Sequence, residues 1–91
     1  MKHCYSEMTS NDRRSLRERM ERTQGGECWY CSTPLYMSPP SHIENYKYNK
    51  RIFPPNMLKY PVHLHHDHET DVCLGAVHAK CNVYMWEVEG Q

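Results

Sequence analysis

Two pairs of candidate metal ligands stand far apart in this chain of 91 residues, which contains 5 Cys and 7 His. Cys28-x-x-Cys31 and His78-x-x-Cys81 each separate two ligands by a spacing that lets a tight turn hold one ion. Two such pairs complete a tetrahedral set. The sequence therefore predicts a structural Zn²⁺ site formed by Cys28, Cys31, His78 and Cys81.

The odd number of cysteines favours metal binding over a disulfide framework. Residues 1–7 contain no apolar stretch typical of a secretion signal, so we expect a cytoplasmic protein, in which disulfides are rare. The alternatives are that Cys28 and Cys31 are buried thiols, or that Cys73 replaces His78 at an unusual spacing. Cys4 is expected to lie outside the site.

A second group of polar residues follows the pattern of a short strand. Four histidines and one carboxylate fall in this stretch, with an amide further on: His63, His65, His66, Asp67, His68 and Asn82. Because side chains alternate along a strand, His63 and His65 should face one way and His66 the other. Taken alone, the cluster is more typical of a solvated polar strand end, or of histidines that bind metal adventitiously, and the zinc pattern around it is what favours a functional site.

The elements that must position these groups can be read from local patterns. A helix is predicted in the N-terminal segment 9–26, with Thr9 and Asp12 as a capping box and Gly25-Gly26 ending it. A zinc knuckle should follow over 27–35. Strands are predicted over 62–66 and 72–77, with Gly75 at a bulge or close approach, and a helix over 79–88.

Residues 36–61 are rich in Tyr and Pro, so we expect an irregular loop that wraps the core. The net charge is zero, but residues 45–66 carry four basic and no acidic side chains, whereas 67–91 carry five acidic and one basic. A segregated charge is compatible with a polyanionic partner. The longest apolar run spans only a handful of residues, which excludes a membrane span.

Three stretches, in this order, resemble the HNH endonucleases, and especially the phage recombination endonuclease VII branch. They are Gly25-Gly26-Glu27-Cys28-Trp29-Tyr30-Cys31, Leu64-His65-His66-Asp67-His68-Glu69-Thr70 and His78-Ala79-Lys80-Cys81-Asn82. The family signature runs C-x-x-C, then D/H-H-D-H-E-T, then G-x-x-C-x-x-C-N. The resemblance covers residues from about 9 to 86, but 36–61 matches nothing in the family.

The resemblance implies an α+β fold in a single domain over 1–91, with a zinc-stabilised ββα-metal (His-Me finger) core over 62–88. It implies that His66 is the general base and that His65 and Asn82 hold a catalytic divalent cation. Asp67 is a candidate third ligand. Mg²⁺ or Mn²⁺ is expected, although histidine and amide ligands also suit Ni²⁺ or Zn²⁺.

The chain departs from the family pattern at three places. His78 stands where Cys is usual, and 71–75 lacks the usual Gly after Thr70 and the usual Arg before Gly75. The middle Asn of the HNH motif has no counterpart in 67–77. These departures keep open two other functions: a non-catalytic zinc module that binds DNA or protein, and a structural or inhibitory phage protein that docks on a host protein through 36–61.

The resemblance implies hydrolysis of DNA phosphodiester bonds to 5′-phosphate and 3′-hydroxyl ends. With no long helical dimerisation region, we expect a monomer that nicks or cuts duplex DNA in the host cytoplasm, with a phage or host protein as a further partner. The candidate DNA-binding residues are Lys47, Lys50, Arg51, Arg13, Arg14 and Arg17. For the three helix arginines, the alternative to DNA binding is a solvent-exposed helix face on which most of the arginines pair with glutamates four residues away.

Overall fold

The computed structural model describes residues 5–54 and 56–90, so Cys4 lies outside the described residues. Within them the chain forms a 3₁₀ turn and five longer elements: Tyr5–Glu7, α1 Ser10–Thr23, α2 Ser41–Glu44, β1 Val62–His66, β2 Cys73–His78 and α3 Ala79–Glu89. The predicted order of strand, loop, strand and helix is confirmed. None of the helices described has the length and apolarity needed to cross a membrane.

Helix α1 forms for the predicted local reasons. The Thr9 side chain accepts a hydrogen bond from the Asp12 amide, and the Asp12 carboxylate accepts one from the Thr9 amide, completing the capping box. After the helix, Gly25 and Gly26 adopt φ values of 67° and 78°, which glycine tolerates without strain. Leu16 is the buried residue of this helix and anchors it to the sheet.

The i,i+4 Arg–Glu pairs considered for α1 do not form in the described residues, although much of this helix face is exposed. Across residues 5–54 and 56–90 the ion pair is Lys80–Glu44, at 2.6 Å, and the Arg14 guanidinium instead donates to the Asn11 side chain at 3.0 Å. Exposed pairs are only weakly stabilising, so spacing alone does not fix them. The arginines of α1 are therefore not paired with glutamates, and Arg13 instead donates through Nε to the Tyr5 carbonyl at 3.0 Å.

The sheet consists of β1 and β2, paired antiparallel. His65 lies opposite Gly75 and His66 opposite Cys73, so Leu74 is the extra residue of a bulge. Leu64 packs with Leu16 of α1, whereas Val77 belongs to the cluster that contains Cys81 of α3. The two long helices thus both pack against the strands.

Gly75 makes the predicted close approach. A Cβ atom on this residue would lie 2.5–2.7 Å from the side chain of Trp29, which is closer than real atoms come. The Trp29 amide also donates to the Ala76 carbonyl at 2.9 Å. The knuckle therefore sits directly on β2, and only glycine fits at this position.

Residues 36–61 contain the short helix α2 and otherwise irregular structure in the described part. The loop is tied to α3 through Glu87, whose carboxylate accepts from the Tyr46 hydroxyl at 2.9 Å and from the Asn49 amide at 2.8 Å. Ile43 and Phe53, which belong to this segment, are buried. The segment covers the small core, as predicted.

Candidate metal centre and active site

The four predicted zinc ligands come together in one group. Ligand atoms of Cys28, Cys31, His78 and Cys81 all lie within 4.8 Å of one another. His78 Nδ1 is 3.5 Å from the Sγ atoms of both Cys31 and Cys81. Zn–S and Zn–N bonds of about 2.3 and 2.0–2.1 Å at tetrahedral angles place sulfur and nitrogen about 3.5–3.6 Å apart. The group can therefore hold a structural metal such as zinc.

The surroundings of His78 determine which of its two ring nitrogens can bind a metal ion. Nε2 lies 2.8 Å from the Met37 carbonyl and 3.1 Å from the Pro34 carbonyl, so this nitrogen carries the proton and donates it. Nδ1 is left with its lone pair facing the cysteines. Such carbonyl partners orient metal-binding histidines and raise their basicity.

The cysteine group is also electrostatically prepared for a cation. A hydrogen bond with Cys81 lowers the pKa of Cys28 to about 4, and the same contact raises the pKa of Cys81. Thiolates are the form that binds metal. Cys73, the alternative ligand, instead packs with Leu16 and Leu64 in the second core cluster, so that alternative is wrong.

His65 and Asn82 meet beside the sheet. His65 Nδ1 lies 3.3 Å from Asn82 Oδ1, and Asn82 Nδ2 lies 3.1 Å from His63 Nδ1. His63 and His65 thus share a face of β1, as the strand alternation predicted. Two ligands about 2.1 Å from one ion and at a right angle are about 3 Å apart, close to the 3.3 Å separation here, which a hydrogen bond accounts for equally well.

The protonation of His65 bears on that fit. Its side chain is buried, and Nε2 has no hydrogen-bond partner within the described residues. A proton on Nδ1 would satisfy Asn82 but leave Nε2 as a buried acceptor without a donor, which is costly. A proton on Nε2 would leave a buried N–H without an acceptor and would also turn the lone pairs of Nδ1 and Oδ1 toward each other, which is unfavourable unless a cation lies between them.

His66 follows His65 at the end of β1 and is partly buried. Its ring stacks on Tyr5, with centroids 4.0 Å apart and planes at 10°, and lies edge-on to His68 at 4.8 Å. Burial lowers the pKa of His66, and the neighbouring His68 lowers it further. The ring is therefore neutral at pH 7 and can accept a proton.

Asp67 serves the loop between the strands. One carboxylate oxygen accepts from the Glu69 amide at 2.8 Å and from the Thr70 amide at 3.1 Å. These two bonds lower the pKa of Asp67, so it is ionised at neutral pH. The described residues contain one close group of three or more His, Cys, Asp or Glu ligand atoms, and this group, the cysteine group above, does not include Asp67. The role of Asp67 as a cation ligand therefore stays a prediction.

A cavity of about 610 Å³ opens beside β1. His63, His66, His68 and Asn82 line it from the sheet and α3, and Arg13 and Arg17 line it from α1. Lys47, Lys50 and Arg51 do not line this cavity, although Lys50 lines a smaller one. The structure thus brings Arg13 and Arg17 of α1, rather than the basic residues of the loop, to the cavity that the histidines line.

Two residues at this site were not predicted from the sequence. Tyr5 covers one face of His66, and Trp86 lies beside His68 with ring centroids 4.3 Å apart. Neither falls within a metal-ligand or basic pattern. Trp86 could have been noticed because it lies four residues after Asn82, one helical turn along α3.

Models of known protein families, curated proteins and solved structures were each compared with this chain, and none of them matches it.

Proposed function

We propose that the protein is a metal-dependent DNA endonuclease of the HNH type, which hydrolyses phosphodiester bonds. The observation that carries the proposal is the 3.3 Å approach of His65 Nδ1 to Asn82 Oδ1, next to a cavity lined by His66 and two arginines. The cysteine group supports it too, because it joins the knuckle to the start of α3, where Asn82 follows Cys81. A ββα-metal core is part of this proposal.

The chain's own residues have distinct roles in this reaction. His66 accepts the proton of the attacking water, which a neutral, partly buried imidazole can do. Arg13 and Arg17, which line the same cavity as His66, bind the phosphate oxygens. His65 and Asn82 hold a divalent cation, Mg²⁺ or Mn²⁺ with Ni²⁺ or Zn²⁺ as alternatives, which when bound stabilises the charge that develops on the phosphate and leaving oxygen.

Cleavage of supercoiled plasmid tests the proposal. Zinc-loaded wild-type protein and His66→Ala are compared with and without added Mg²⁺ or Mn²⁺, and His42→Ala serves as the matched control because His42 is exposed and outside the cavity. We expect metal-dependent nicking that falls about 10²- to 10⁴-fold in His66→Ala and is unchanged in His42→Ala. Equal rates in wild type and His66→Ala would contradict it.

One observation favours a second function, a zinc module that binds DNA without cutting it. The Asn82 amide bridges His63 and His65, so these polar groups partner one another within the protein. Such a module would bind DNA with the steep salt dependence of phosphate contacts but convert no plasmid at any metal concentration. In the proposed nuclease, binding and metal-dependent cleavage occur together.

A further inference from the structure

The cavity along β1 has two chemically different walls. Arg13, Arg17 and the histidines of the hairpin form its polar wall. Most of the other lining residues are apolar and form the second wall, which includes Ile52, Phe53, Met57, Tyr60 and Trp86. A site for a phosphate alone would need only the first wall, so the second wall indicates that the ligand also has a flat or apolar part.

Trp86 is the best-placed flat surface on that wall. It keeps 44% of its surface exposed in a chain this small. His68 packs against it at 4.3 Å, and Phe53 meets it at 6.3 Å in an edge-on contact with planes at 82°. These neighbours hold the indole in a fixed orientation while part of it stays open. Ile52 and Tyr60 are likewise exposed on the same wall.

We propose that this cavity binds an unpaired nucleotide of a nucleic acid strand, with its phosphate on the arginine side and its base on Trp86. The inference rests on the proposed function and gives its substrate class. In a regular duplex the faces of the bases are already stacked on their neighbours and the phosphates lie on the outside. Only an unstacked nucleotide can present a phosphate and a free base face to the two walls together.

Binding of a short oligonucleotide tests the inference without relying on cleavage. The probe is a 12-nucleotide DNA carrying 2-aminopurine at its centre, used single-stranded, annealed to its complement, and as the RNA of the same sequence. Zinc-loaded protein in the His66→Ala background keeps the probe intact. Trp86→Ala is compared with Tyr36→Ala, since Tyr36 is 87% exposed and lies outside this cavity. Zinc content and circular dichroism show that each variant is folded.

We expect the single strand to bind at least about tenfold more tightly than the duplex. Trp86→Ala should weaken single-strand binding about 5- to 150-fold, the range that stacking of one base on an aromatic ring gives, and Tyr36→Ala should not. Whichever of the DNA and RNA strands binds more tightly identifies the source of the nucleotide.

Equal binding of single strand and duplex, or a Trp86→Ala variant that binds like Tyr36→Ala, would overturn the inference. Metal-dependent plasmid nicking by the wild type would then still support the nuclease. Conversely, Trp86-dependent binding by a protein that nicks no plasmid would support the nucleotide site and overturn the proposed hydrolysis. The two failures are therefore distinguishable.

Discussion

The imidazole of His66 and the phenol ring of Tyr5 are stacked, with their ring centroids 4.0 Å apart and their planes 10° from parallel. The Arg13 guanidinium lies 4.1 Å from the centre of the Tyr5 ring, and its Nε donates to the Tyr5 carbonyl at 3.0 Å. The Tyr5 amide donates to the Asp71 carbonyl at 2.8 Å. The 3₁₀ turn is thereby held on the hairpin loop, and the orientation of His66 is fixed from one side.

Tyr5→Ala should therefore slow plasmid nicking with little change in DNA affinity. An aromatic pair contributes about 0.5–1.5 kcal/mol, so loss of the stack should lower the rate at saturating DNA about 2- to 10-fold. Tyr5→Phe keeps the ring and should retain the wild-type rate. A loss in Tyr5→Phe as large as that in Tyr5→Ala would contradict a positioning role of the ring.

Removal of the metal from the cysteine group should unfold the protein. Structural zinc contributes about 10–16 kcal/mol in small zinc-finger peptides, comparable to the whole stability of a domain. We expect Cys81→Ala to lose bound zinc and cooperative thermal unfolding, measured by metal analysis and circular dichroism. Cys73→Ala is the matched control, since Cys73 is also buried but outside the group. It should keep one zinc per chain; retention of zinc by Cys81→Ala would count against the site.

Asn82→Ala should raise the Mg²⁺ or Mn²⁺ concentration needed for nicking by at least about tenfold, because it removes one of two proposed ligand atoms. Asn82→Asp keeps an oxygen and adds a charge that attracts cations, so it should require no more metal than the wild type. The measurement is the nicking rate over a metal titration. Identical titration curves for wild type and Asn82→Ala would show that Asn82 binds no catalytic cation.

Gly75→Ala should destabilise the fold, since the added Cβ would overlap the Trp29 side chain. Overpacking of this kind costs about 1–3 kcal/mol, which chemical denaturation of the zinc-loaded protein can measure. Leu74→Ala, at the neighbouring exposed position, should cost much less. In Trp29→Gly, which lacks the Cβ, Cγ and Cδ1 atoms that the added carbon would meet, the same glycine substitution should cost less than in the wild type; equal costs in both backgrounds would exclude the clash.

Sequence patterns predicted the elements well where the cause is local. The capping box at Thr9 and the alternation over 62–66 act among neighbouring residues, and both elements form where expected. The zinc group was predictable for a related reason, because each ligand pair is already held together by its short spacing. Gly75 was predicted only as a bulge or close approach, and the structure identifies Trp29 as the residue that approaches it.

By itself the sequence determined the secondary structure around the site and which four residues form the group that can hold a structural metal. Only the tertiary structure decided which basic side chains lie near the histidines and which aromatic rings surround them. Tyr5, Arg17 and Trp86 lie in different elements, and their contacts depend on how α1, the loop and α3 pack around β1. Such packing follows from the summed burial of the whole core, which no local spacing encodes.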